Sequence, residues 1–211
     1  GAFTKYPCPA FYPDRNKKKR SQKKFGFFQS ESRIFTEVAS TLKLLPVVEN
    51  VYERHPLAYL VEAADDICYS IIDLEDACNL GLVSYEEAKS LFENILTHNK
   101  SKLGKLEELA SKQEKIGFLR ALAIGDLMDE CSTLFLDSEL EILEGKFNSA
   151  LADLCPSKEA LKEIIDISVD KIYRARQVVE IEAAGHKVLP GLLEEFLQVG
   201  ISMLEKKKSR K

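Results

Sequence analysis

From about residue 30 onward, apolar residues recur three and four positions apart with polar residues between them, a spacing that lays one apolar face along an α-helix. No stretch alternates with the period of a strand, and no segment repeats at a fixed interval, so the pattern predicts an all-α bundle of about seven helices. Boundary signals agree with it. Gly81 sits where a helix ending near Leu80 needs a left-handed residue, and Ser84 with Glu87 forms a capping-box pattern ahead of "SYEEAKSLFENIL". Asp137 before "SELEILEGKF" and Ser157 after Pro156 are the expected N-caps of later helices, and Gly185 is expected to close "DISVDKIYRARQVVEIEAA".

Residues 1–29 break the pattern. They are aromatic, proline-bearing and basic, and an irregular loop is expected there, followed by a helical domain over 30–205 and a basic tail over 206–211. Seven basic residues and no acid lie between Arg15 and Lys24, which leaves 23 positive and 34 negative charges elsewhere. Such a loop is either a solvated surface or a phosphate-binding element, for a nucleotide or for single-stranded nucleic acid. Phe25, Phe27 and Phe28 suit base stacking or anchoring in a core.

At 211 residues and 45% hydrophobic positions the chain can bury one sizeable core. No apolar run of membrane-spanning length and no secretion signal occurs, so a soluble cytoplasmic protein is expected. Five scattered cysteines without metal-ligand spacing are read as reduced thiols, mostly filling core. The chain begins at Gly1 without a helix cap and is expected to be a piece of something longer.

The most informative stretch is "RHPLAYLVEAADDICYSIIDLEDA", residues 54–77, with six carboxylates in an otherwise apolar helix. On a helical wheel Leu60, Ala64, Ile67, Cys68, Ile71, Leu74 and Cys78 share the arc expected to face the core. Glu62, Asp65, Tyr69, Asp73 and Asp76 fall on the opposite stripe with Asp66 at its edge. Asp65, Tyr69 and Asp73 stand four apart, about 6 Å of helix axis from one to the next. A water-facing stripe is one reading. Against it, no Lys or Arg occurs between Arg54 and Lys89, so like charges repel across whole turns unless a divalent metal or basic residues from elsewhere sit opposite.

This stretch closely resembles the corresponding helix of the deoxyguanosinetriphosphate triphosphohydrolases, the dGTPase branch of the HD superfamily. "TKYP" at 4–7, "KKFGFF" at 23–28 and "EIEAAGHKVLPGLLE" at 180–194 resemble the same family in the same order. The resemblance implies an HD-superfamily-like helical bundle, of which this chain is the C-terminal part. It also implies hydrolysis of a dNTP, dGTP first, to a deoxynucleoside and intact triphosphate with a divalent metal, Mg or Mn. By the same resemblance Asp65 is a metal ligand, Tyr69 packs on the sugar and Asp73 accepts from the 3′-hydroxyl. Lys5, Tyr6 and Lys24 bind the triphosphate, and Glu182 lies near the base, although His186 stands where many relatives carry a tyrosine. Arg54 and His55 serve the phosphate region or cap the helix start, and Lys17, Lys18, Lys19 and Arg20 belong to a solvated loop.

One departure bears on mechanism. The histidines are His55, His98 and His186, and none precedes an aspartate, so the family's His and His-Asp ligands are absent and Asp65 alone is too little for a tight site. No catalytic residue is assigned in this chain, and it is expected to be inactive by itself. A homo-oligomer is expected. A nucleotide sensor or a nucleic-acid-binding helical module without catalysis is the alternative.

Overall fold

The computed structural model describes residues 1–208, with side chains to Glu205, so most of the expected basic tail over 206–211 lies outside the described residues. It is largely α-helical. In chain order it contains α1 (Ser32–Thr41), the strands β1 (Pro46–Val48) and β2 (Val51–Tyr52), α2 (Leu57–Asn79), α3 (Tyr85–Ile95), α4 (Lys112–Asp137), α5 (Glu139–Leu143), α6 (Lys158–Ile167) and α7 (Arg176–Lys208). Two compact units result, residues 1–166 and 167–211.

In the first unit α2 and α4 form the central pair, with α3 against α4. Ile67, Ile71 and Leu74 of α2 meet a core that also holds Phe92 and Ile95 of α3 and Ile116, Leu119 and Leu127 of α4, all buried. Each such side chain contributes about 1.5–3 kcal/mol through burial. The buried face of α2 is rotated from the expected one: Ala64 and Cys68 are exposed, while Ala58, Ala63 and Ala77 are buried. Three of the five free thiols, Cys8, Cys131 and Cys155, are buried.

Loops are tied to this core by acids on α4. Asp126, wholly buried, accepts backbone N–H groups of Thr97 (2.6 Å), His98 (3.0 Å) and Asn99 (3.2 Å). Glu130 accepts from Ser157 through its backbone N–H (2.9 Å) and its hydroxyl (2.7 Å). Ser157 directly precedes α6 as expected, yet its hydroxyl serves Glu130 and its carbonyl accepts the first helical N–H from Leu161 (3.0 Å).

Gly81 takes a left-handed φ of 74° after α2, and Ser84 accepts the Glu87 N–H at 3.2 Å to open α3. Two expected boundaries are corrected. Asp137 is the last residue of α4, and Ser138 occupies the N-cap position of α5 while its own N–H still bonds into α4. Gly185 does not end a helix. The break falls earlier, after the π-helical turn Ser168–Tyr173, and α7 runs on through Gly185 and Pro190. A lone glycine costs a helix only about 1 kcal/mol, which the helix formers around it offset.

Residues 1–29 are mostly irregular, as expected, but they are fixed in place. Pro9 bridges to Phe27, and Phe27 stacks on Phe35 with ring centroids 4.3 Å apart, beside Ala39 and Leu44. Phe27 is therefore an anchor, whereas Phe25 and Phe28 are exposed.

Candidate functional site: the acidic face of α2 and the segment that covers it

β2 leads through Glu53 and Arg54 to the start of α2. His55 caps that start, its Nδ1 accepting the Leu57 N–H at 3.2 Å, and burial lowers its pKa. Arg54 is 4% exposed and fully engaged. Its Nε donates to the Lys5 carbonyl (2.7 Å) and its two terminal nitrogens to the two oxygens of Glu62 (2.7 and 3.2 Å). The rings of Tyr6 and Tyr59 each lie 5.3 Å from the guanidinium carbon, a distance at which the ring quadrupole attracts a cation. Tyr59 in turn donates its hydroxyl to the Phe147 carbonyl at 2.8 Å, and burial pushes its pKa up to about 12.

Glu62, which the helical wheel places on the polar stripe, is buried, at 3% exposure. The N-terminal segment covers the first turns of α2 on their polar side, so Ala58 and Glu62 are buried along with the apolar arc. Arg20 supplies a second cation, its Nε 3.3 Å from Glu62 while its Nη1 reaches Asp153 at 3.2 Å. Burial alone would raise the Glu62 carboxyl, but the hydrogen bond and charge of Arg54, and then those of Arg20, outweigh it and hold the pKa below its ordinary value. For Arg20 burial pulls down, and the charge of Glu62 prevails and raises it. Arg20 and Lys19 therefore do not belong to a solvated loop: Lys19 pairs with Glu53, and the Arg20 N–H bonds to Asn148 Oδ1 (2.7 Å).

One turn beyond Glu62 the helix face opens to solvent. The Asp65 carboxylate is exposed and receives the Lys5 ammonium at 2.9 Å. Burial of Lys5 opposes its charge, and the hydrogen bond and charge of Asp65 more than compensate, raising its pKa. Asp66, half-buried, is pushed up by burial and then by Glu62. Tyr69 is 63% exposed and Asp73 half-buried, and both continue the line that Asp65 begins. Farther along, Arg120 of α4 donates to Glu75 at 2.7 Å. The like charges of α2 are thus relieved by Lys5, Arg20, Arg54 and Arg120, all supplied from outside the helix.

Of the residues singled out in the sequence, Lys5, Tyr6 and Asp65 are drawn together around Arg54, and Tyr69 and Asp73 extend the same face. Lys24 is exposed and forms no ion pair among the described residues. Glu182 lies on α7 in the second unit, exposed. The Arg20–Glu62–Arg54 arrangement escaped the sequence reading, because a helical wheel places a carboxylate by its polarity and carries no information about cations arriving from another segment. No group of three or more His, Cys, Asp or Glu among the described residues could hold a metal. Asp65 offers one carboxylate, bonded to Lys5, so these residues do not by themselves compose a metal site.

No family model matches the chain. Curated relatives do. Over 209 residues, 97% of this chain and 46% of the relative, it is 41% identical to a deoxyguanosinetriphosphate triphosphohydrolase-like protein of Synechocystis sp.. A protein of the same description from Listeria monocytogenes is 31% identical over 93% of this chain and 43% of its own length. The deoxyguanosinetriphosphate triphosphohydrolase of Salmonella arizonae is 29% identical over 93% and 41%. The chain spans under half the length of these curated relatives. With its acidic helix face, the Lys5–Tyr6 segment fixed against that face and an identity that runs almost from end to end, the chain is a relative of the deoxyguanosinetriphosphate triphosphohydrolase family, matching a part of those proteins.

Proposed function

We propose that this chain forms the sugar- and phosphate-binding part of a cytoplasmic dNTP triphosphohydrolase, with dGTP as the preferred substrate and deoxyguanosine and triphosphate as products. The observation that carries the reading is the line of Asp65, Tyr69 and Asp73, exposed at Asp65 and Tyr69, with the Lys5 ammonium at its head. A triphosphate accepts strongly from ammonium and hydroxyl donors, and Lys5 can leave Asp65 for a phosphate oxygen while Tyr6, held on Arg54, offers its hydroxyl. Lys24 adds an exposed cation. The exposed Tyr69 ring is a flat wall for a sugar lacking a 2′-hydroxyl, and the Asp73 carboxylate an acceptor for the 3′-hydroxyl. Glu182 can accept from a guanine edge.

The divalent metal, Mg or Mn, would polarise the phosphate and favour attack by water. Asp65 would be one ligand and the others would come from outside this chain, which is therefore inactive alone. The protein assembles as a homo-oligomer.

The test uses the complete protein with dGTP and Mn²⁺ and separates inorganic triphosphate from pyrophosphate and phosphate. Triphosphate release is expected, lost on Asp65→Ala. Undiminished release from that variant would remove Asp65 from the site, and no triphosphate from any dNTP would overturn the reading.

A further inference from the structure

A cavity of about 370 Å³, apart from the α2 face, is bounded by the basic loop on one side and the turn after α5 on the other. Its lining shares no residue with Lys5, Asp65, Tyr69 or Asp73. Lys18, Lys19 and Lys146 line it together with Ser21, Asn148 and Glu53. The turn is tight by construction: Gly145 has a φ of 69°, and a Cβ there would stand 2.8 Å from Glu53 Cγ. Asn148 ties this segment to the basic loop, its side chain accepting from the Arg20 N–H (2.7 Å) and donating to the Lys18 carbonyl (3.2 Å).

The charges do not cancel. Lys19 pairs with Glu53 and Lys146 with Glu144, which is not part of the lining, and Lys18 has no ion pair among the described residues. Each ammonium has three donors and each pairing uses one. Independently of the lysines, Ser21 is 3% exposed and its hydroxyl is buried without a hydrogen-bond partner, a state that proteins rarely leave uncompensated. The aromatic side chains at the cavity do not offer a stacking face, since Tyr59 and Phe147 are both buried.

We propose that this cavity between the basic loop and the turn after α5 binds the phosphate group of a small molecule, through Lys18, Lys19, Lys146 and the Ser21 hydroxyl. A phosphate carries more charge than a carboxylate and spreads its acceptor oxygens over a tetrahedron, so it can meet ammonium groups and a hydroxyl arriving from different walls of the cavity. The volume lies near the lower end of small-molecule sites, about 300 Å³, so a phosphate or a compact phosphomonoester fits. The proposal does not rest on the reaction proposed above.

The test is calorimetric titration of the complete protein with inorganic phosphate, and separately with a deoxynucleoside 5′-monophosphate, at constant ionic strength. Wild type is expected to bind phosphate, the Lys18→Ala/Lys146→Ala double variant at least tenfold more weakly, and Ser21→Ala severalfold more weakly. Lys17→Ala, on the same loop but outside the lining, is expected to leave phosphate binding unchanged, which separates this cavity from the general charge of the loop. Tighter binding of the monophosphate, weakened by the same double variant, identifies a phosphomonoester, and equal binding identifies inorganic phosphate. No binding of either, or binding that survives the double variant, overturns the proposal. Binding only of a single-stranded oligonucleotide, lost in the same variants, overturns it in favour of a nucleic-acid strand.

Discussion

Glu62 lies three residues before Asp65 on the same helix, yet the two carboxylates do opposite things. Asp65 faces solvent with one flexible partner, while Glu62 is enclosed between two guanidinium groups. Removing one member of a buried ion pair typically costs about 3–5 kcal/mol, because the remaining charges stay desolvated. Glu62→Gln is therefore expected to destabilise the first unit by about that amount at neutral pH, read by denaturant unfolding. The pKa of Glu62 is depressed in the fold, so its contribution is present above the ordinary value of 4.5 and is lost as the pH falls through the folded value. The gap between wild type and variant should close in acid. A gap that stayed constant with pH would mean that Glu62 acts by shape and not by charge. The spacing of Asp65, Tyr69 and Asp73 was legible in the sequence because it follows from helix geometry alone. Glu62 was not, because its burial depends on Arg20 and Arg54 arriving from segments that the periodicity of α2 does not describe.

Among the elements, the boundaries read correctly were those with a local cause: the left-handed Gly81, and Ser84 accepting from Glu87. Asp137 and Gly185 misled because each residue type is only permissive of a boundary. The chain at Asp137 simply continues its hydrogen bonding into Ser138, and at Gly185 nothing forces a stop. Pro190 is the more telling case, a residue without an N–H inside α7. An interior proline costs a helix about 3 kcal/mol, so Pro190→Ala is expected to slow backbone amide exchange through residues 186–194. Unchanged exchange would show that the helix already accommodates the missing hydrogen bond.

At the scale of the molecule, the sharp separation of charge along the sequence is partly undone by folding: Lys19 and Arg20 from the basic loop pair with Glu53, Glu62 and Asp153. The all-helical class was legible from periodicity, apart from the small hairpin of β1 and β2, whose two short strands fall below the length at which alternation shows. In the second unit, Leu189, Leu193, Phe196 and Met203 are exposed and recur at helical spacing along α7, a stripe that supports the proposed homo-oligomer. Leu193→Glu/Phe196→Glu in the complete protein is expected to lower the mass measured by light scattering to that of a smaller assembly. An unchanged mass would place the assembly contacts elsewhere.

The engagement of Arg54 has an evolutionary consequence. Its Nε and both terminal nitrogens are bonded, and its guanidinium carbon lies 5.3 Å from each of two tyrosine rings. Lysine carries a charge but neither the fork nor the plane, so no stepwise path of tolerated substitutions leads away from arginine here. Drift at this position would require Glu62, Tyr6 and the Lys5 backbone to change together, whereas exposed neighbours such as Lys17 can vary one at a time.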